Sequence, residues 1–283
     1  MSVAGVAADL DAAGLLAVAT GAARAAGELL VSPGGRVSVA ATKSSPTDVV
    51  TEMDRRSEEL IRSLILAARP DDAILGEEGG QIGDTADAPA RWVIDPLDGT
   101  VNYLYGLPDW AVSIAAEVAG EIVAGAVFVP GRGELFTATR GGGGWLESAG
   151  ASDGGGGRVR LHCRPGVPLG QALVATGFGY RAARRKTQGE VVAALLPRMR
   201  DIRRAGVASA DLCSVAAGRL DAFYERGLNY WDYAAGALIA AEAGAVVGGL
   251  HGAPPSTSMT VAAGPGLFEA LAEALADLDA ERD

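Results

Sequence analysis

Cysteine, histidine, aromatic side chains and positive charge are all scarce in this chain, and each shortage closes off a class of function. The two cysteines, Cys163 and Cys213, form no CxxC pair, so zinc-ribbon and dithiol redox readings fail. Cys213 lies in an Ala-rich helical pattern and reads as a small buried hydrophobe. The two histidines, His162 and His251, fall in strand or loop contexts without partners, so neither is assigned a catalytic role. Aromatics make up 5% of 283 residues, which leaves core packing to Ala, Val and Leu with closely approaching backbones. Lys plus Arg number 24 against 35 Asp plus Glu, a formal charge of -11. A nucleic-acid binder needs a basic stripe to neutralise phosphates, and this balance argues against one. No run of about 18 uninterrupted apolar residues exists to span a bilayer. Asp9 and Asp11 precede the first apolar stretch with no Lys or Arg before them, so the positive region of a secretory signal is missing. The expectation is a cytoplasmic protein that binds neither nucleic acid nor membrane.

What is present is a layered alternation of helix and strand patterns. Leu15, Val18, Ala22, Ala25 and Leu29 recur at helical spacing over 9–30. Leu60, Ile61, Leu64 and Ile65 form a second apolar stripe that Pro70 ends. Short strands are expected at 73–75 and 91–94, then β-rich runs at 111–118, 122–130 and 134–140 with a hairpin signal at Gly120-Glu121. Residues 141–157 carry two four-glycine runs and read mostly as a surface loop at a subdomain boundary. The expected subdomains are 1–145, an α+β unit carrying most of the chemistry, and 146–283, an α/β unit. In the second, strands are read at 173–176, 202–205, 220–225 and 259–263. Helices are read there at 187–199, 209–218, 230–243 and from Leu267.

Four acidic clusters fall where strand patterns run out: Asp48 to Asp54 behind Lys43, Glu77-Glu78, Asp95-Pro-Leu-Asp98-Gly-Thr100, and Glu225 with Asp232. The third is the most informative. Pro96 fixes φ and turns the chain, so Asp98 can swing back toward Asp95 with the Leu97 carbonyl outward. Two carboxylates and a carbonyl are hard oxygens of the kind Mg²⁺ prefers. Gly99 lacks a Cβ, so phosphate can approach the Gly99 and Thr100 amides, and a helix starting there would favour the anion. Taken alone, the hexapeptide reads equally well as a turn followed by a helix cap.

Its neighbours remove that ambiguity. The blocks from Lys43 to Asp54, Gly76 to Gly79, Trp92 to Pro108, Arg204 to Ala208, and Trp231 to Gly244 resemble the inositol monophosphatases, closest to their actinobacterial members. The resemblance implies an αβαβα sandwich, an α/β (α+β layered) fold of the kind shared with fructose bisphosphatases, and a homodimer. It implies Mg²⁺-dependent, lithium-sensitive hydrolysis of a small phosphate ester, inositol 1-phosphate foremost, with two or three Mg²⁺ per site. Glu77, Asp95 and the Leu97 carbonyl would hold the first ion; Asp95, Asp98 and Asp232 would hold the second. Thr100 and Asp54 would orient or deprotonate the attacking water, and the Gly99 and Thr100 amides would cradle the phosphate. Asp98, the Ala208 amide, Glu225 and Asp232 would grip the alcohol's hydroxyls. Relatives that share these motifs act on fructose 1,6-bisphosphate, histidinol phosphate or 3′-phosphonucleotides. The Thr100 to Tyr103 run and Glu225 favour inositol phosphate, and no basic pocket for a second phosphate is evident. A non-catalytic scaffold would be marked by loss of a carboxylate, and none is lost.

The remaining polar residues read as support. Asp48 and Lys43 are expected to brace the loop holding Asp54, and Glu78 to stay solvated rather than bind a third ion. Arg181, Arg184, Arg185 and Lys186 read as a solvated helix face. Trp92, Trp110, Trp145 and Trp231 read as packing residues, Trp231 also walling the site. Gly177-Phe178-Gly179 lacks the further glycine of a dinucleotide loop. Many relatives carry Ser or Thr after the equivalent of Gly206; here it is Val207.

Overall fold

The computed structural model describes residues 11–32, 39–42, 49–85, 88–148 and 157–282. Lys43 and Asp48 lie outside them. The first half runs α1 (Ala12–Val31), β1 (Val39–Thr42), β2 (Val49–Thr51), α2 (Glu52–Ala68), β3 (Ala73–Gly76), β4 (Gly80–Ile82), β5 (Arg91–Asp98) and α3 (Thr100–Leu104). It continues through β6 (Ala111–Val118), β7 (Glu121–Val129), β8 (Glu134–Thr139), β9 (Gly143–Ser148) and β10 (Arg158–Arg160). Then come β11 (Leu173–Thr176), α4 (Ala182–Leu195), β12 (Asp201–Arg203), α5 (Ala208–Ala216) and β13 (Ala222–Glu225). The chain closes with α6 (Tyr230–Glu242), β14 (Val246–Gly248), β15 (Thr260–Ala263) and α7 (Leu267–Asp277).

Beside the antiparallel β1-β2 pair, two large sheets organise these elements. The first has eight strands in the order β10-β9-β8-β7-β6-β5-β3-β4, and the second five in the order β12-β11-β13-β15-β14. In β5 the side chains alternate by face. Trp92 and Ile94 join a cluster with Leu15, Ala19 and Ile61 of α1 and α2, whereas Val93 joins one with Leu212 of α5 and Ile239 of α6. The second sheet buries its far face, through Val174, Ala222 and Val261, against Val191, Leu195, Leu271 and Leu275 of α4 and α7. The layers therefore run helix, sheet, helix, sheet, helix, the expected αβαβα sandwich.

Several local readings need correction. The glycine-rich 143–148 segment is strand β9, hydrogen-bonded to β8 and β10 on either side, because ladder pairing overrides glycine's poor strand propensity. The first sheet thus runs through Arg160. In α2 the buried stripe is Met53, Asp54, Ser57, Glu58, Ile61 and Ile65, while Leu64 is 38% exposed. Helix α4 starts at Ala182 and stops at Leu195, earlier at both ends than the apolar spacing suggested. Helix α1 is long and apolar enough to cross a membrane by length and composition. Its stripe of Leu15, Ala19, Ala22, Ala23, Ala26 and Leu30 is instead buried in the protein. Burying each such leucine favours folding by about 1.5–3 kcal/mol.

Candidate active site

The site begins at the N-terminus of α2. Thr51 caps the helix, and the Thr51 amide donates to Asp54 Oδ2 at 2.8 Å. In return the Thr51 hydroxyl oxygen accepts from the Asp54 amide at 3.3 Å, which completes a capping box, and the Thr51 hydroxyl also donates to Asp54 Oδ2. Asp54 Oδ1 is left to accept from the Thr100 hydroxyl at 2.9 Å. Asp54 is therefore fixed through both oxygens at 1% exposure. Burial raises its carboxyl above the usual range, against the lowering pull of the Thr51 and Thr100 hydrogen bonds.

One turn on, Glu58 accepts from the Glu78 and Gly79 amides, both at 2.8 Å, and from Arg62 at 2.9 Å. It anchors the turn that carries Glu77, whose own amide donates to the Ile94 carbonyl at 3.2 Å.

Strand β5 solves a geometric problem. Residues three apart on a regular strand point to opposite faces, yet Asp95 and Asp98 face one cavity. Asp95 pairs with Ser113 but Asp98 pairs with Ala111, so β5 has one extra residue there. That bulge restores a common side. It is pinned internally by the Leu97 amide donating to Asp95 Oδ1 at 3.1 Å, and to α2 by the Ser57 hydroxyl donating to the Pro96 carbonyl at 2.8 Å. Gly99 then adopts φ 91°, and a Cβ there would lie 2.9 Å from Val207 Cγ2; both facts require glycine. Helix α3 starts at Thr100, whose hydroxyl also lies 3.1 Å from the Leu97 carbonyl.

Later elements complete the constellation. Asp98 Oδ2 accepts from the Ser209 amide at 2.8 Å and the Ser209 hydroxyl at 2.6 Å, with the Ala208 amide also turned toward it. Asp232, in the first turn of α6, accepts from the Asn229 amide at 2.6 Å. Glu225 ends β13, and Gly177 makes room for it: a Cβ at Gly177 would lie 2.1 Å from Glu225 Oε2. These groups meet in one cavity of about 410 Å³, lined by Glu77, Asp95, Leu97, Asp98, Gly99, Thr100, Ala208, Glu225 and Asp232. Asp54 reaches it through Thr100.

The carboxylates destabilise one another's charge. Burial raises the Asp95 carboxyl well above the usual range, and Glu77, Asp98 and Asp232 raise it further. Asp232 is raised in the same way by burial, then Glu77 and Asp98. Asp98 is pushed to about 6 by burial despite its Ser209 and Ala208 hydrogen bonds. Burial also pushes Glu225 to about 8, with Asp211 and Asp98 adding to it and Arg204 opposing. Such a set is relieved by protons or by cations. Among the described residues no group of three or more His, Cys, Asp or Glu side chains is placed to hold a metal ion as it stands, so an ion bound here would draw on the Leu97 carbonyl and water as well as on shifted carboxylates.

The rest of the cavity lining corrects the sequence reading. Arg181, Arg184, Arg204 and Arg226 line the same cavity, so a basic pocket exists and two members of the supposed solvated face belong to it. Trp231 lines the cavity as expected, while Trp92 and Trp110 are core residues and Trp145 packs beneath Arg158 at 4.4 Å. The Asn102 amide donates to the Asp109 and Ala205 carbonyls at 2.7 and 2.9 Å, which ties loops together outside the cavity. Neither histidine lines it. A second cavity of about 390 Å³ lies beside α6, lined by Tyr230, Tyr233, Leu238 and Pro255; its two carboxylates, Glu121 and Glu242, are engaged by Arg140 and by the Gly141 and Gly143 amides.

Sequence reading missed Ser57, Glu58, Ser209 and Asp211. The first two left a signal: Asp54, Ser57 and Glu58 share a helical face with Ile61, and buried polar groups on an apolar stripe demand partners. Ser209 and Asp211 left none.

Comparison with known proteins places the chain in a family. Residues 11–280 match the inositol monophosphatase family. The inositol-1-monophosphatase SuhB of Mycobacterium tuberculosis is 48% identical over 239 residues, covering 82% of this chain and 80% of that protein. The solved structure of Mycobacterium tuberculosis SuhB superposes with a TM-score of 0.79 at 42% identity, covering 97% of this chain and 100% of that one. The Nus factor SuhB of Pseudomonas aeruginosa is 43% identical over 243 residues, covering 84% and 86% respectively.

Proposed function

Since the chain belongs to the inositol monophosphatase family and is a phosphatase, we propose that it hydrolyses inositol 1-phosphate to inositol and phosphate with Mg²⁺ in the acidic end of the cavity. The observation that carries this reading is the meeting of Glu77, Asp95, Asp98 and Asp232 beside the Thr100–Asp54 pair. The donors suit Mg²⁺: they are carboxylate and carbonyl oxygens, and neither thiol nor imidazole lines the cavity. Glu77, Asp95 and the Leu97 carbonyl would hold one ion, and Asp95, Asp98 and Asp232 a second. Bound there, such ions polarise the phosphoryl oxygens, make a water more acidic and offset charge on the departing alkoxide.

The chain's own residues supply position and proton transfer. The Thr100 oxygen accepts a hydrogen bond from the attacking water while its hydroxyl donates to Asp54, which takes the proton. General-base assistance of this kind contributes about 10²–10⁴ in rate. The Gly99 and Thr100 amides hold the phosphate, and Asp98, the Ala208 amide, Glu225 and Asp232 hold the alcohol's hydroxyls. No nucleophilic Ser, Cys or His is needed, because phosphoryl transfer asks mainly for positioning and electrostatics. The enzyme is proposed to be a cytoplasmic homodimer inhibited by lithium.

The test is phosphate release from inositol 1-phosphate, fructose 1,6-bisphosphate, histidinol phosphate and a 3′-phosphonucleotide, with Mg²⁺ and with EDTA. Chelator-sensitive release led by the inositol ester supports the proposal. A different leading ester replaces the substrate, and silence across the panel leaves a binding scaffold in its place.

A further inference from the structure

Asn102 of α3 is 6% exposed, and a primary amide buried that deeply must find partners. Its Nδ2 donates to the Asp109 carbonyl at 2.7 Å and to the Ala205 carbonyl at 2.9 Å, the second of them 103 residues further along the chain. Both N–H bonds of the side chain are thereby used. Two backbone carbonyls converging on one point accept neither a carboxylate nor a hydrocarbon there, and among short side chains Asn alone offers two N–H donors.

The two sides joined by this amide differ in how firmly they are held. Helix α3 is fixed without Asn102: the Tyr103 hydroxyl donates to the Leu30 carbonyl at 2.7 Å, its ring meets Trp110 edge-on at 5.2 Å, and Thr100 reaches Asp54 at 2.9 Å. Asp109 is braced in turn by Arg132 Nε at 2.9 Å. Ala205 to Val207, in contrast, is an irregular connection between β12 and α5. Gly206 has a φ of 79°, a point where the backbone turns with little resistance. Beyond it, Val207 packs on Gly99 and Ser209 bonds to Asp98. Before it, Asn102 is what ties the connection to α3. The Ala208 amide, given above to the alcohol's hydroxyls, lies three residues after the carbonyl that Asn102 holds.

We infer that Asn102 is a positioning residue for substrate selection: it sets the reach from the phosphate-holding Gly99 and Thr100 to the Ala208 amide, and so favours esters of hydroxyl-bearing alcohols over esters of plain ones. The inference rests on the phosphatase reading above. Asn102 acts through the connection it holds and touches no substrate atom itself. Small displacements of such a supporting contact are costly, because binding and reaction both depend on placement.

The experiment compares inositol 1-phosphate with p-nitrophenyl phosphate, whose alcohol carries no further hydroxyl, in the wild type, Asn102→Ala and Asn102→Ser under saturating Mg²⁺. In the alanine variant KM for the inositol ester should rise about tenfold, the scale of two lost hydrogen bonds, with a smaller fall in kcat. For p-nitrophenyl phosphate kcat/KM should fall by about twofold at most, since Ala208 grips nothing on that ester. Asn102→Ser keeps one donor and carries the same test where the alanine variant does not fold; circular dichroism verifies folding in each. The Mg²⁺ concentration for half-saturation should stay at the wild-type value, because Asp98 keeps its Ser209 bonds. Equal losses on both esters, or an inositol KM that does not move, would overturn the role of Asn102 while leaving the phosphatase reading intact. A wild type that releases no phosphate from inositol 1-phosphate overturns that reading as well.

Discussion

Asp98 and Ser209 are joined twice: the serine's amide and hydroxyl donate to the same carboxylate oxygen, at 2.8 and 2.6 Å. The pair links the first sheet to the central helix layer. Two residues before Ser209, Val207 packs against Gly99. Ser209→Ala keeps the amide and removes the hydroxyl. The Mg²⁺ concentration for half-saturation should rise about tenfold, the scale seen for groups that orient metal ligands, and Ser209→Thr should largely preserve it. An isothermal titration that gives the wild-type affinity for the alanine variant would remove Ser209 from this role.

Asp95→Asn tests the acidic cluster. Metal ions contribute several kcal/mol to such reactions, so turnover should fall by about a thousandfold or more. The metal-free fold should persist and gain stability, because one member of a self-repelling set loses its charge. Wild-type turnover in the variant would contradict the ligand assignment.

Thr100→Ala removes the hydroxyl that reaches Asp54. The expected loss is about a hundredfold in kcat with a smaller change in KM, and Thr100→Ser should restore most of the rate. Steady-state kinetics that show an unaltered kcat would send the proton elsewhere.

Glu58→Gln presents an amide N–H to a site where two backbone N–H groups already point. The Glu77 turn should shift, raising the Mg²⁺ requirement about tenfold and lowering stability by about 1–3 kcal/mol. Denaturant unfolding and metal titration measure the two effects separately, and no change in either removes Glu58 from the anchoring role.

Acidification should stabilise the metal-free protein. Asp211 is pushed to about 8 by burial, with Asp98 adding to it, and Glu225 is raised to about 8 as well. Between the ordinary carboxylate range and pH 8 the folded state therefore carries more protons than the unfolded state, so stability falls as pH rises through that window. Melting temperatures in EDTA should drop from pH 5.5 to pH 8.5, and Asp211→Asn should flatten the slope. A melting temperature that climbs with pH instead would contradict the burial of these charges.

Local chemistry was legible in the sequence and convergence was only partly so. Asp95 to Thr100 could be read because proline, glycine and two carboxylates act within six residues. The starts of β11 at Leu173 and α7 at Leu267 were read at their observed positions, since apolar periodicity begins there. Glu58 was not read, because its acceptor role depends on amides 20 and 21 residues away. The arginine wall was invisible for a similar reason: three strand ends bring together residues that are scattered along the chain. Strand β9 was hidden by its glycines, which carry no strand signal until neighbours pair with them.

The thickness of the central helix layer has a mechanical consequence. A Cβ on Gly125 of β7 would sit 3.1 Å from the Ala235 Cα, and one on Gly236 would sit 2.9 Å from Leu212 Cβ. Helix α6 is thus wedged between strand and helix with no slack, one turn beyond Asp232. It behaves as a gauge block: both sheets take their separation from it, and reacting groups on either side are registered to one ruler. A single methyl added at Gly125 or Gly236 would push α6 against its neighbours and so move the helix that carries Asp232. The abundance of alanine and glycine is, in this protein, a machining tolerance.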